Sequence, residues 1–424
     1  MQAKKAYYFF QQCFEKKEII YYASSLVFAR FVGLLIPKII IKLNGEVNYG
    51  KFVLCFGLLT MVINLFSSGL TNCVTRYAID KDSIEEVYVK LRKFLGIFIL
   101  IVALLFYSIS PFIVRFFPVY QIDEFPLGLG SIYIFFSLSN AFFIGIHFVQ
   151  KAYSKMMISN FIGYFILVLS MLLLPSIFNI SGALLSYLAF SAITTFILYK
   201  VPKKSGLSKI KAKLVPAKIY SEFLIPSFLS ASVVPLAIWF ANLKVLNYLG
   251  FMELGLVSIF LQIQLIYNFL PGILNSIWLP KLNQLYNTDR NGYFLSLKKL
   301  FFYSGGVSLA IFLFLIIFSE PILSIFSPRY LPYLNVFYLF NASFLLSNII
   351  ATAGQHIMSS DQMWLGFGLN IIWGIVLVLS TIGFVPQFKL LGYGFSFLSA
   401  YFVHFIFVTI FVTKIKKNLF NNVV

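Results

Sequence analysis

Long apolar segments alternate with short polar ones along the whole chain of 424 residues. A helix that crosses a membrane needs about 20 mostly apolar residues, and twelve segments reach this length. Runs such as VLVLSTIGFVP and AIFLFLIIF are continuous, whereas strands of a membrane barrel alternate apolar and polar positions over about ten residues. The pattern therefore predicts an all-α integral membrane protein with about twelve transmembrane helices. The twelve segments are 19–43, 49–74, 92–117, 127–152, 156–177, 180–200, 218–249, 251–279, 300–326, 333–357, 363–386 and 390–413.

The composition excludes several classes of protein. Hydrophobic residues make up 60% of the chain, charged residues only 11%, and the mean hydropathy is +0.89. A soluble protein carries about 25% charged residues, so this chain could not cover a water-soluble globule. Soluble enzymes, disordered tails and secreted scaffolds are excluded. The three cysteines form no CxxC pair and the three histidines lie far apart, so we expect no metal site and no cofactor.

The basic residues predict how the chain is oriented. Of the 33 Lys and Arg residues, 25 lie in or next to the two terminal segments and the loops predicted on the same side of the membrane as the termini. The other 8 lie elsewhere. Lys and Arg concentrate on the cytoplasmic side of membrane proteins, so both termini are predicted to be cytoplasmic. The net charge of +19 is thus explained by basic residues that orient the chain in the membrane and contact lipid headgroups. We expect no nucleic-acid partner. No cleavable signal precedes the first span, which we expect to be an uncleaved anchor.

Four short patterns recur in the same order, at shifts of 205 to 210 residues. Such a repeat predicts two six-helix bundles in the same orientation, and paired bundles of this kind typically enclose a central substrate site. The recurring patterns are Gly45–Gly50 with Gly250–Gly255, Pro111 and Pro118 with Pro321 and Pro328, Ser139-Asn140 with Ser347-Asn348, and Gly182 and Ser186 with Gly392 and Ser396.

The predicted domains are a cytoplasmic N-terminal segment (1–18), an N-terminal six-helix lobe (19–200), a basic cytoplasmic linker (201–217), a C-terminal six-helix lobe (218–413) and a cytoplasmic tail (414–424).

Charged residues within the spans are few, and Arg30 stands out among them. It lies near the middle of the first span, where an arginine costs about 2.5–3.5 kcal/mol. Lys38 follows eight residues later and Lys42 a turn beyond, and both can extend their ammonium groups towards the outer surface. For Arg30 two interpretations stay open: a charge that faces a substrate cavity, and a buried structural ion pair.

Polar side chains form stripes at helical spacing on four other spans. Either they hydrogen-bond neighbouring helices, or they line a shared wet cavity. From these stripes and the basic residues we select eight candidates for substrate binding: Arg30, Lys38, Asn64, Asn140, His147, Lys151, Asn268 and Asn348. No Asp or Glu occupies the middle of any span, and proton or sodium relays generally use such carboxylates. This balance favours an anionic substrate over a cation-coupled drug exporter.

Several of these features together resemble the MOP superfamily, which contains MATE drug exporters, lipid II flippases and Wzx-type flippases. They are the two halves of six spans, Gly45–Gly50 after the first span, ILSIFSPRY at the end of the ninth and FLIPSFLSAS at the start of the seventh. Length and basicity are most similar to the Wzx-type flippases. Members often carry an acidic residue in the seventh span, where this chain has Asn242 and Lys244.

The resemblance implies a flippase that moves an undecaprenyl-diphosphate-linked oligosaccharide across the bacterial inner membrane by alternating access. The oligosaccharide would be a repeat unit of O-antigen in lipopolysaccharide biosynthesis, of capsule or of exopolysaccharide. A polysaccharide polymerase and chain-length machinery are the implied protein partners. Arg30, with Lys38 and Lys151, is then expected to contact the diphosphate in a cavity between the two halves.

Four alternatives stay open: a cation-coupled MATE-type multidrug exporter, another transporter fold such as the MFS type, a membrane glycosyltransferase or polymerase, and a structural membrane protein. The third requires catalytic groups in a sizeable loop outside the bilayer, and the predicted external loops are short.

Overall fold

The computed structural model describes residues 2–77, 84–116, 127–150, 152–199, 225–360 and 362–421, and within these ranges every regular element is a helix. The all-α class predicted from the sequence is confirmed. The α-helices are α1 (Gln2–Tyr77), α2 (Ile84–Phe116), α3 (Leu127–Val149), α4 (Tyr153–Tyr199), α5 (Ile225–Leu249), α6 (Phe251–Tyr267), α7 (Phe269–Thr288), α8 (Arg290–Ile317), α9 (Ser319–Phe326), α10 (Leu334–Ser359) and α11 (Met363–Asn421), and a 3₁₀ helix spans Pro328–Tyr333.

The chain divides into two compact units, Met1–Val215 and Pro216–Val424. In the first, α1 packs on α3 and α4, and α2 packs on α3. In the second, α11 packs on α5 and α10, and α8 packs on α7 and α10. The predicted linker at 201–217 lies outside the described residues. The predicted N-terminal segment is the beginning of α1, and α11 continues into the predicted tail as far as Asn421.

Each unit has its own buried core of aliphatic and aromatic side chains. Aliphatic side chains such as Ile40, Leu59 and Ile134 are fully buried in the first unit. In the second, Phe340 packs against Phe397 with ring centroids 4.7 Å apart, within a larger group of buried aromatic rings. Large apolar side chains are exposed along the outer faces of α2, α4 and α8. Contiguous apolar surface of this extent indicates contact with lipid.

Eight helical segments among the described residues are long and apolar enough to cross a membrane. Two of them contain 47 and 49 residues (Tyr153–Tyr199 and Met363–Phe411). At about 1.5 Å per residue each exceeds twice the hydrocarbon thickness of about 30 Å. Each also contains one non-helical break, at Phe178–Asn179 and at Lys389, so each supplies two arms of spanning length. The count of twelve spans stays a prediction.

The breaks in the long helices occur in pairs, and the pairs follow the predicted repeat. Asn179 has φ 50° and ψ −133°, and Lys389, 210 residues later, has φ 55° and ψ −134°. Gly45 and Gly250, which the sequence pairs at a shift of 205, both have positive φ, at 83° and 112°. The backbone therefore turns in a corresponding way at positions that the repeat assigns to each other.

A close approach of backbone to backbone accompanies the turns at Asn179 and Lys389. A Cβ atom on Gly182 would lie 2.2 Å from the carbonyl oxygen of Leu174, and one on Gly392 would lie 2.2 Å from that of Phe384. The serine four residues after each glycine donates a hydrogen bond to the glycine carbonyl, at 2.9 and 2.8 Å. Only glycine fits at these two positions, which explains why the sequence repeats it there.

Candidate functional site

Arg30 lies on α1, in a region where α1 packs against the first arm of α4. The two helices are joined by Asn160, whose Nδ2 donates to Ser25 Oγ at 3.0 Å, and by the rings of Phe28 and Phe161, 5.2 Å apart. The Arg30 side chain itself is exposed, and its guanidinium is close enough to the Tyr164 phenol to interact with it electrostatically. An exposed guanidinium does not fit the interpretation of Arg30 as a member of a buried ion pair.

The other two candidates on α1 are also exposed. Lys38 follows Arg30 on the same arm, and Asn64 lies on the arm after the Gly45 bend. Eight residues of helix place Lys38 about 12 Å beyond Arg30 along the axis. The first unit therefore presents two exposed cations in sequence along the first arm of α1.

Two candidates on α3 act in helix packing. Asn140 Nδ2 donates to Thr194 Oγ1 at 3.1 Å, and His147, which is fully buried, places Nε2 2.9 Å from the carbonyl oxygen of Leu198. Both bonds join α3 to the second arm of α4. Of the two interpretations of the polar stripe, hydrogen bonding between helices fits these residues. Lys151, the third member of the stripe, lies outside the described residues.

The candidates in the second unit, Asn268 and Asn348, form a direct pair. Asn348 Nδ2 donates to Asn268 Oδ1 at 2.8 Å and to the Phe344 carbonyl at 3.1 Å. Asn268 is the single residue between α6 and α7, and its side chain makes no cap bond to the start of α7. The pair therefore ties the break between α6 and α7 to α10.

Asn242 is one of the two residues that stand in the seventh span where the resembled family often carries an acid, and its side-chain oxygen has a partner. Asn242, on α5, accepts a hydrogen bond through Oδ1 from the Tyr393 hydroxyl at 2.8 Å. Tyr393 is fully buried on α11. An amide that accepts from a buried phenol fixes α5 against α11, and it carries no proton that could be exchanged during transport.

The second unit also contains a cavity that the sequence did not indicate. Its volume is about 370 Å³, and it is lined by residues of α5, α10 and α11. The polar and aromatic part of the lining includes Gln355, Asn370, Trp373, Tyr401 and His404. No Asp, Glu, Lys or Arg contributes to the lining among the described residues.

A buried polar cluster between α8 and α10 was likewise missed. The Tyr293 hydroxyl bonds Ser359 Oγ at 2.8 Å and also contacts His356 Nδ1. Tyr293 is 1% exposed and His356 is fully buried. The sequence does not indicate this pairing, because Tyr293 and His356 lie 63 positions apart.

Comparisons with known proteins place the fold. No protein-family model matches the chain, and no curated protein sequence matches it. An inward-facing multidrug resistance MATE transporter of the MOP superfamily superimposes with a TM-score of 0.72 at 14% identity, over 92% of this chain and 96% of that one. The lipid II flippase MurJ in an inward closed conformation gives 0.72 at 15% identity, over 93% and 87%.

A MOP superfamily transporter from Pyrococcus furiosus, described as having a binding pocket of reversed polarity, gives a TM-score of 0.63 at 14% identity, over 95% and 97% of the two chains. At these identities the likeness concerns the fold. The chain has the fold of MATE and MOP transporters, and this part of the resemblance drawn from the sequence is confirmed.

Proposed function

We propose that this protein is a flippase that moves a polyprenyl-diphosphate-linked oligosaccharide, the repeat unit of a surface polysaccharide, from the cytoplasmic to the outer leaflet of a bacterial inner membrane. The observation that carries the proposal is the exposed guanidinium of Arg30 at the middle of a predicted span. An arginine is costly there, and a diphosphate ligand gives it a function. The fold, shared with drug exporters and with a lipid II flippase, supports a transporter.

The chemistry of the substrate matches the groups on α1. A guanidinium presents a planar fork that donates two parallel hydrogen bonds to a phosphate. Lys38, also exposed and about 12 Å further along the helix, offers a second cation on the outward side of Arg30. In this proposal the diphosphate passes from the first cation to the second, while the polyprenyl tail stays in the lipid.

The second candidate function is a cation-coupled multidrug exporter, which the MATE structures with the same fold favour. Such an exporter generally uses a carboxylate that binds and releases the coupling ion within the membrane. No Asp or Glu lies in the middle of a predicted span. Asn242, in the seventh span, already accepts from a buried tyrosine, so the flippase is the better supported function.

Deletion with complementation separates the candidate functions. We expect cells without the gene to lose surface polysaccharide and to accumulate complete lipid-linked repeat units at the inner leaflet. Loss of a glycosyltransferase would instead leave truncated units, and loss of a drug exporter would change drug sensitivity while the polysaccharide stayed normal. Extraction and mass analysis of the lipid-linked pool, beside drug-sensitivity plates, distinguish the three results.

The first prediction concerns Arg30 directly. Arg30→Ala should slow translocation at least tenfold, because it removes charge-assisted hydrogen bonds worth about 1.5–3 kcal/mol. Arg30→Lys should recover only part of the rate, since an ammonium keeps the charge without the fork. The matched control is Lys42→Ala, an exposed cation on the same arm, which should leave the rate unchanged. Normal surface polysaccharide with Arg30→Gln, at normal protein level by immunoblot, would contradict the role of Arg30.

A further inference from the structure

The two units can be compared residue by residue, because each contains the same hydrogen bond between corresponding helices. Asn160 Nδ2 donates to Ser25 Oγ at 3.0 Å in the first unit, and Asn370 Nδ2 donates to Ser230 Oγ at 2.9 Å in the second. The serines are 205 residues apart and the asparagines 210, as in the sequence repeat. These shifts assign residues of α1 to counterparts on α5 and α6, and residues of α4 to counterparts on α11.

In the first unit, four half-buried aromatic rings form a row that begins beside Arg30. The Tyr164 phenol is close enough to the Arg30 guanidinium to interact with it electrostatically, and the Tyr164 ring centroid lies 4.7 Å from that of Phe190. Tyr187 precedes Phe190 by one helical turn, and its ring centroid lies 4.3 Å from that of Phe56 on α1. We call these four half-buried residues the aromatic row.

The second unit is tightly packed at the corresponding positions. A Cβ atom on Gly374 would lie 3.1 Å from Val233 Cγ1 of α5, and both Phe397 and Ala400 are fully buried. The first unit instead leaves rings and a guanidinium partly accessible there, so this surface is specific to the first unit. The counterparts of Arg30, Tyr164, Tyr187 and Phe190 are, in this order, Pro235, Gly374, Phe397 and Ala400.

The two phenol hydroxyl groups of the aromatic row are available to a ligand. Among the described residues, neither the Tyr164 nor the Tyr187 hydroxyl has a hydrogen-bond partner, and both oxygens keep accessible surface. A hydroxyl group without a partner is costly in hydrocarbon, and so is a guanidinium. A surface that carries two such phenols beside Arg30 therefore fits a polar ligand better than it fits lipid tails.

The chemistry of the aromatic row indicates which part of the substrate binds there. A pyranose ring has an apolar C–H face that packs on aromatic rings, and its hydroxyl groups can donate to a phenol or accept from it. In a lipid-linked oligosaccharide one sugar is bonded directly to the diphosphate. A site for that sugar has to adjoin the site for the diphosphate, and the row meets this requirement because it begins beside Arg30.

We propose that the aromatic row binds the first sugar of the lipid-linked oligosaccharide, the one bonded to the diphosphate. The C–H face of the sugar packs on the Phe190 and Tyr187 rings, and the Tyr187 hydroxyl donates to a sugar hydroxyl oxygen. The subsite rests on the proposed flippase function and on the contact of Arg30 with the diphosphate. It would make the first unit recognise the diphosphate and the attached sugar together.

The test measures how two kinds of probe lipid bind to the purified full chain. One is undecaprenyl diphosphate; the other is the same lipid carrying a single glucose, galactose, N-acetylglucosamine or N-acetylgalactosamine. We expect at least one glycosylated lipid to bind more tightly than the bare diphosphate. Tyr187→Phe should weaken that binding about fivefold, the usual worth of one neutral hydrogen bond, and leave binding of the bare diphosphate unchanged. Phe190→Ala should weaken binding of the glycosylated lipid more than binding of the bare one.

The thermal midpoint of Tyr187→Phe separates binding from a structural role. It should equal that of the wild type, because the hydroxyl makes no hydrogen bond among the described residues and phenylalanine is the counterpart in the second unit. The matched controls are Tyr107→Phe and Phe196→Ala, the same substitutions in the first unit at rings that are 58% and 66% exposed. Both controls should bind every lipid as the wild type does.

If Phe190→Ala fails to fold, Tyr187→Phe decides alone. Equal affinity of the wild type for all five lipids overturns the sugar subsite and leaves the proposed flippase function intact. The same holds if Tyr187→Phe causes no loss, or an equal loss for bare and glycosylated lipids. Failure of every lipid to bind overturns both the subsite and the proposed function.

Discussion

At the scale of single residues, the space beside Gly182 and Gly392 is a tight constraint on the backbone. A methyl group at either position would meet a backbone carbonyl oxygen at 2.2 Å, and a backbone atom cannot turn aside as a side chain can. The glycines are needed because two segments of main chain touch, although neither glycine has a positive φ.

The second prediction follows from this contact. Gly182→Ala and Gly392→Ala should each lower stability by about 1–3 kcal/mol, the usual cost of overpacking, and should reduce the thermal midpoint of the purified protein. Gly383→Ala is the matched control, on the same helix as Gly392 with nothing within 4 Å of the added methyl. It should be neutral or slightly stabilising because alanine is the better helix former. A midpoint for Gly392→Ala equal to that of Gly383→Ala would contradict the prediction.

How far single residues could be predicted depends on whether their partners are local. Helical spacing placed Asn348 on a polar face. It could not show that the Asn348 side-chain amide donates a hydrogen bond to Asn268 Oδ1 at 2.8 Å. The same reasoning could not tell that His147 binds a carbonyl of the next helix. The cavity around Trp373 gave no signal at all, since its walls come from helices far apart in the chain and aromatic residues occur in every span.

At the scale of helices, the apolar pattern located the segments and missed how they join. The fifth and sixth predicted spans, and likewise the eleventh and twelfth, are continuous in the structure as α4 and α11. Their junctions are breaks of one or two residues, so hydropathy hardly changes across them. The recurrence of glycine at 182 and 392 was the sequence signal for these junctions. The turns at Asn179 and Lys389 each lie three residues before one of these glycines.

The third prediction concerns the torsion angles at the second of these junctions. Lys389 has a φ of 55°, which an L-residue adopts at a cost of about 1–3 kcal/mol and glycine adopts readily. Lys389→Gly should therefore raise the thermal midpoint, by an amount equivalent to about 1 kcal/mol once the lost chain entropy is subtracted. The control is Gln387→Gly, two residues earlier in the same helix at an exposed position, which should lower the midpoint since glycine disfavours helix. Equal changes in both variants would show that the turn is not strained.

At the scale of the whole molecule, the two halves differ in charge although they share turn geometry. The sequence up to 217 holds 22 of the 33 basic residues, including the exposed Arg30 and Lys38. The counterparts of these two residues in the second unit are Pro235 and Leu243. This difference agrees with an anionic group of the substrate that binds the first unit.

The fourth prediction is the orientation of the chain. Fusions of a fluorescent protein at Lys209 and at Val424 should fluoresce, because the distribution of 25 basic residues against 8 predicts that both sites are cytoplasmic. A fusion of alkaline phosphatase at Gly250, after the seventh predicted span, should be active outside the membrane. Phosphatase activity from a fusion at Lys209 or Val424 would reverse the orientation.

The fifth prediction is that no single carboxylate is essential for transport. Glu253→Gln should transport normally, since the amide oxygen can still accept from the Tyr333 hydroxyl that now lies 3.2 Å from Glu253. Glu320, which is exposed, should tolerate glutamine equally. Translocation assays on all such amide variants test the prediction, with immunoblots as a control for protein level. One variant that is inactive at normal abundance would contradict the prediction and favour the cation-coupled exporter.

The turns at Asn179 and Lys389 also bear on how the protein is made. Each joins two long apolar arms without a polar loop, so a nascent chain leaving the ribosome has almost nothing hydrophilic to carry through the translocon there. The arms of α4 would enter the bilayer together as a preformed hairpin, and those of α11 would do the same. Glycine at 182 and 392 lets the second arm fold back against the first as soon as it emerges, so the corner that shapes the mature helices would also set the order of their insertion.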